Sequence, residues 1–211
     1  MKRARRAGQV LLSASALAWL LPALRQPVEA SMSLQMLLQF PLLLAAGWAA
    51  GRHLPLGLTR RLAALDALGL SSATLASCVM ALWMIPAALD LALLTPAMAV
   101  AKYLSWWLAG LLLSQGWPRL GGVAAAFFLG NATWMLITAG LLYRDAETRL
   151  CVNYLFDEQR VAGNGLVAWG LVLGALALLK LRRWLRQAEL AALQRESGPH
   201  ASAAPERVSG R

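Results

Sequence analysis

"GVAAAFFLGNATWMLITAGLLY", residues 122–143, runs for twenty-two residues without a charged side chain. At 1.5 Å per residue a helix of that length reaches about 33 Å, enough to cross the roughly 30 Å hydrocarbon layer of a bilayer. The rest of the chain has the same character. Of its 211 residues 59% are hydrophobic and 14% charged, where a soluble domain carries about a quarter charged residues. The net charge of +10 does not point to nucleic acid, because the basic residues fall in short clusters between apolar runs and not along one polar face.

Five further runs approach the same length, at about 8–24, 32–50, 67–89, 97–115 and 161–181. The sequence therefore predicts an all-α, polytopic membrane bundle of about six helices. The count is five if the first run is removed: "MKRARR" is a basic n-region, the run itself is short, and "VEA" at 28–30 resembles a small-residue cleavage site, so residues 1–30 read as a cleaved signal or as a signal anchor. Residues 31–182 form the bundle in this reading. Residues 183–211 form a tail, helical at first and then disordered, with Ser, Gly, Pro and Ala near its end.

Lysine and arginine bias loops toward the cytoplasm. With the N-terminus inside, fifteen of the twenty basic residues fall on the inner side and only Arg25, Arg144, Arg149 and Arg160 on the outer side, together with most of the acidic residues. The predicted location is the bacterial inner membrane with a cytoplasmic C-terminus. Trp83, Trp106, Trp107, Trp117, Trp134, Trp169 and Trp184 lie mostly near segment ends and are read as interface anchors.

In that topology Met32 and Met36 begin the second run at its outer end, Met80 and Met84 fall in the outer half of the third, and Met98 starts the fourth. Each pair is spaced i, i+4, which puts two sulfurs on one helix face. Thioethers are soft donors that select Cu(I), and two to four of them suffice. Methionine is equally a flexible gap filler. Pro86 should kink or end its helix, and Lys102 is a charge well inside an apolar run. Lys102 either snorkels to the headgroups or pairs with Asp90, Asp157 or Glu158; Asp90 itself lies near the interface, where it caps or solvates a helix end. Gly163 and Gly165 stand at the start of the last run, Gly170 and Gly174 are spaced for close helix approach, and Asn131 and Asn164 are expected to hydrogen-bond between helices. Cys78 and Cys151 make no disulfide framework, and His53 and His200, the only histidines, lie away from the outer methionines. No nucleophile–base pair or phosphate loop is present, so no enzyme is predicted.

The ordered landmarks resemble the CtaG-like family of cytochrome c oxidase assembly factors. "SMSLQMLLQFPLLLAAG" keeps that family's Met32, Met36, Leu37, Leu38 and Pro41 but has Ser31 and Gln35 where histidines would stand. "WMIPAALDLAL" keeps Trp83 and Pro86, with Met84 in a histidine position; "AVAKYLSWWLAGLLL" resembles the family's His-rich helix without its histidines. "RLCVNYLFDEQRVAGNGLVAW" is similar to the outer loop, Asp-Gln element, Gly pair and Trp, with Asp157, Gln159 and Trp169 as counterparts. The resemblance covers roughly residues 31–185. It implies a non-enzymatic inner-membrane factor that assists assembly of a haem-copper oxidase, either passing Cu(I) through Met32, Met36, Met80 and Met84 or holding an oxidase subunit during insertion. Imidazole ligation does not carry over. Two other readings stay open: a small transporter using Lys102, Asn131 and Asn164 along a polar path, and a structural subunit of a membrane complex with no metal role.

Overall fold

The computed structural model describes residues 28–146 and 156–197. The first apolar run and the end of the tail lie outside them. The described residues form helices and connecting turns with no strand: α1 Met32–Gly51, α2 Leu56–Leu65, α3 Leu70–Trp83, α4 Pro86–Leu94, α5 Pro96–Gly116, α6 Gly122–Asp145 and α7 Phe156–Ser197. Four helices are long and apolar enough to cross a membrane, at Met32–Gly51, Pro96–Arg119, Gly122–Asp145 and Asp157–Gln194. The expected all-α membrane bundle is what forms.

The third run, expected as one segment over 67–89, is instead broken. Helix α3 has 14 residues, about 21 Å of rise against a layer of roughly 30 Å. The break falls at Met84 and Ile85, because Pro86 has no N–H to extend the helix and starts α4 as its first residue. At its other end α3 meets α2 at 85°. Helix α2 carries Arg60 and Arg61 and buries none of its residues, as befits a segment lying along the surface and not through the bundle.

The corner between α2 and α3 is built on Asp66. Its carboxylate accepts from the backbone N–H groups of Ser71 and Ser72 at 3.1 Å each and from the Ser72 hydroxyl, capping the start of α3. Arg119 donates through Nε to the Asp66 carbonyl at 2.9 Å. Burial pushes this carboxyl up, but the Ser72 and Ser71 hydrogen bonds and the Arg119 charge outweigh it and hold the pKa below its ordinary value of 3.8. Gly69 turns the chain with φ +75°, and a Cβ there would also stand 2.3 Å from the Gly116 carbonyl oxygen.

Helices α1 and α5 cross where Gly47 and Gly110 let the backbones touch. A Cβ at Gly47 would lie 1.9 Å from the Trp107 carbonyl oxygen, and one at Gly110 would lie 2.0 Å from that of Leu44. Helices α6 and α7 pack the same way, Gly140 and Gly163 each facing the other's carbonyl, and Gly170 lies against Ile137. The expected close approach at Gly170 is what the packing shows, and Gly163 makes a second one. Helix α7 has 42 residues, about 63 Å, so it outruns the bundle; residues 182–194 are all exposed. The helical first half of the tail therefore forms as read.

Two sequence expectations fail here because depth does not determine face. Trp83 and Trp106 are buried core residues and not interface anchors, and the Trp83 indole donates to Ser105 Oγ at 2.8 Å. Asn131 and Asn164 both point out of the bundle. Asn131 reaches only Met135 Sδ, 3.4 Å away on its own helix.

Candidate functional site

One end of the bundle, where α1 and α7 begin and α3 stops, holds most of the buried polar side chains. Lys102 of α5 is fully buried there, and its ammonium lies 2.7 Å from Glu29 Oε1. Snorkelling is therefore corrected, and so is the choice of partner. Glu158 is taken by Ser31 and Ser33 of α1, with Ser31 Oγ donating at 2.6 Å, and Asp157 is exposed. Asp90 is half-buried on α4. The carboxylate that reaches Lys102 is Glu29, from the stretch read as a cleavage site. Tyr103 donates to the same Glu29 oxygen at 2.6 Å and accepts from Gln39 Nε2 at 3.2 Å. A charged pair in hydrocarbon persists only when remaining hydrogen-bonding capacity is also met, and Tyr103 meets part of it.

Two prolines open the backbone beside this cluster. Residues Gln35–Gln39 form a π-helical turn, with Phe40 N–H reaching back to the Gln35 carbonyl. Pro41 lacks the N–H that would otherwise reach the carbonyl of Leu37. Trp169 of α7 supplies the donor instead, its Nε1 lying 3.2 Å from Leu37 O. At the second break the Met84 carbonyl falls between α3 and α4 and accepts from the Tyr143 hydroxyl of α6 at 2.9 Å. Each opened carbonyl is thus closed by an aromatic donor from a neighbouring helix, which a membrane interior requires. Gln159, also buried, donates to the Tyr143 carbonyl at 3.0 Å and ties the start of α7 to the end of α6.

The methionines belong to the apolar core of the bundle. Met32 and Met36 are buried on one face of α1, as their spacing implied, and Met80, Met84 and Met98 are half-buried against the same core. Phe40 and Trp106 stack beside them, ring centroids 4.9 Å apart. The donor chemistry is soft and uncharged, and Lys102 and Glu29 neutralise each other. No group of three or more His, Cys, Asp or Glu suited to a harder ion occurs among the described residues. Thioether sulfur is a soft donor of the kind that suits Cu(I).

The polar path imagined for transport does not assemble, since Lys102 faces Glu29 inside while Asn131 and Asn164 face outward. Sequence reasoning missed Glu29, Gln39, Tyr103 and Tyr143. The available signal was Gln35 and Gln39, two amides one turn apart in an apolar helix. The chain matches no protein-family model, no curated protein and no solved structure.

Proposed function

We propose that the chain is a non-enzymatic assembly factor of the bacterial inner membrane, with its C-terminus cytoplasmic, that serves a haem-copper cytochrome c oxidase and handles Cu(I) as cargo. The observation that carries this reading is convergence. Met32, Met36 and Pro41 of α1, Trp83 and Pro86 at the α3 break, and Gln159 and Trp169 of α7 carry the resemblance from distant parts of the sequence. In the fold they frame one end of the bundle, joined by Trp169 to Leu37 and by Tyr143 to both Met84 and Gln159. Ser31 and Gln35, which stand where the family has histidines, are absorbed into protein contacts and burial. That leaves thioethers as the metal donors, with Met32, Met36, Met80 and Met84 as the ligand set.

Transport is the weaker reading. Broken helices are a transporter feature because unwound carbonyls coordinate ions, and this fold does have two breaks. Both opened carbonyls are already occupied by aromatic donors.

The test is complementation. A strain lacking the chain should lose spectroscopically assembled oxidase and regain it with the wild-type protein. The Met32/Met36/Met80/Met84 four-fold Leu variant should restore little and should lose Cu(I) in competition against a chromogenic chelator. Undiminished oxidase in the deletion strain would overturn the assembly role. Full rescue by the four-fold variant would overturn the copper role and leave partner holding.

A further inference from the structure

At the end of the bundle remote from the methionines, Leu179, Arg182, Arg183 and Arg186 of α7 line an open pocket of about 170 Å³. None of the three guanidiniums meets a carboxylate among the described residues. Three uncompensated arginines within two turns repel one another unless an anion joins them.

The chain's own geometry says which anion. At 100° per residue, Val172, Leu176 and Leu179 lie on one face of α7, and Arg183 and Arg186 continue that face by the same three- and four-residue steps. The three apolar residues are about half exposed, at 49%, 50% and 48%, so the stripe faces out of the bundle where acyl chains would lie. The stripe then runs without interruption into the arginines. Its direction is fixed, because Trp184 packs over the start of α6, where a Cβ at Gly122 would lie 2.1 Å from the indole Cδ1. Lys180 is drawn to the other side, 5.3 Å from the Trp117 ring centroid.

We infer that this stripe is a binding site for an anionic phospholipid, with the phosphate held by Arg182, Arg183 and Arg186 and an acyl chain lying along Leu179, Leu176 and Val172. A soluble phosphate would engage the arginines alone, whereas a phospholipid would engage the arginines and the apolar residues that lead into them. Guanidinium groups suit the headgroup because their paired N–H donors match phosphate oxygens.

The full chain, purified in a neutral detergent, would be exposed to equimolar phosphatidylglycerol and phosphatidylcholine and its retained lipid counted by native mass spectrometry. Each arginine near an anionic headgroup favours it by about fivefold, so a preference on the order of tenfold to a hundredfold for phosphatidylglycerol is expected. The Arg182→Gln/Arg183→Gln/Arg186→Gln variant should bring the two lipids to parity, and Arg60→Gln/Arg61→Gln should keep the preference. Equal retention by the wild-type protein, a preference that survives the triple variant, or equal loss in the Arg60/Arg61 variant would each overturn the site. A third arm adds inorganic phosphate in place of lipid. Phosphate adducts that match the lipid occupancy would assign the arginines to a soluble anion and overturn the lipid.

Discussion

Deleting one partner of the Lys102–Glu29 pair should damage the fold far more than deleting both. Lys102 is fully buried, Glu29 is 6% exposed, and the two are 2.7 Å apart with Tyr103 on the same carboxylate oxygen. Glu29→Leu removes the carboxylate 2.7 Å from a buried ammonium, and breaking a buried pair this way costs about 3–5 kcal/mol. Lys102→Met removes the cation from Glu29 and breaks the same pair from the other side. The double variant replaces two opposed charges by apolar groups of similar length, a change that is often neutral or stabilising by about 1–4 kcal/mol. The expected coupling energy in the cycle therefore exceeds about 2 kcal/mol, where independent sites add to within about 0.5 kcal/mol. Equilibrium unfolding in mixed micelles of a non-ionic detergent and dodecyl sulfate measures all four proteins. Two mild single variants that simply add would refute the buried pair. The same reasoning predicts where the N-terminus lies. Cleavage after Ala30 would remove Glu29 and impose the single-variant penalty on every molecule, so the intact mass of the purified protein should include Glu29, and a mature chain starting at Ser31 would refute it.

Gly110→Ala should force α1 and α5 apart, because its Cβ would lie 2.0 Å from the Leu44 carbonyl oxygen, whereas Gly130→Ala meets nothing within 4 Å. Overpacking of this kind costs about 1–3 kcal/mol, so thermal denaturation in detergent should show a lowered midpoint for the first and none for the second; equal midpoints would discount the crossing. Asp66 has a folded pKa below its ordinary 3.8, so the stability it adds is complete above that value and is lost as pH falls through the lower, folded one. Asp66→Asn should accordingly be less stable than the wild-type protein at pH 7 and should lose less stability on acidification toward pH ~3; parallel pH profiles would remove Asp66 from the cap. A reporter fused after Arg211 should be active only in its cytoplasmic form and one inserted near Glu147 only in its periplasmic form, and the opposite pattern would invert the proposed orientation.

The spanning helices were legible because hydrocarbon thickness sets a length, and a length can be counted along a sequence. Residues 32–50, 97–115 and 122–143 were found within a few positions of α1, α5 and α6. Pro86 announced a break by its missing N–H, but not how complete that break would be, since this depends on whether another group takes the Met84 carbonyl. Tyr143 does so from fifty-nine residues away. Which way a side chain faces was harder to read. Trp83 and Trp106 belong to a set of tryptophans that lie mostly near segment ends and read as anchors, and Asn131 and Asn164 at membrane depth read as bridges. The faces reverse both, and in runs apolar all round no periodicity marks the buried face.

The site divides along the same line. The paired methionines announced their shared face by a four-residue spacing, because that relation is local to one helix. The ion pair did not announce itself, since Lys102 and Glu29 are seventy-three residues apart and Glu29 sits in a stretch that reads as a removable leader. Lys102 nonetheless carried half of the answer: an ammonium inside an apolar run must find a carboxylate or reach water. Among the acids at that end of the bundle, Asp157 and Glu158 belong to the start of α7, and Glu158 accepts from the Ser31 hydroxyl and from the Ser33 N–H at the start of α1, where backbone N–H groups need acceptors. Glu29, two residues before Ser31, is brought to the same end of the bundle by that contact. The bonds that fix Glu158 at the start of α1 thus also place Glu29 where Lys102 can reach it, so replacing Ser31 and Ser33 by Ala should weaken the ion pair without touching either of its members.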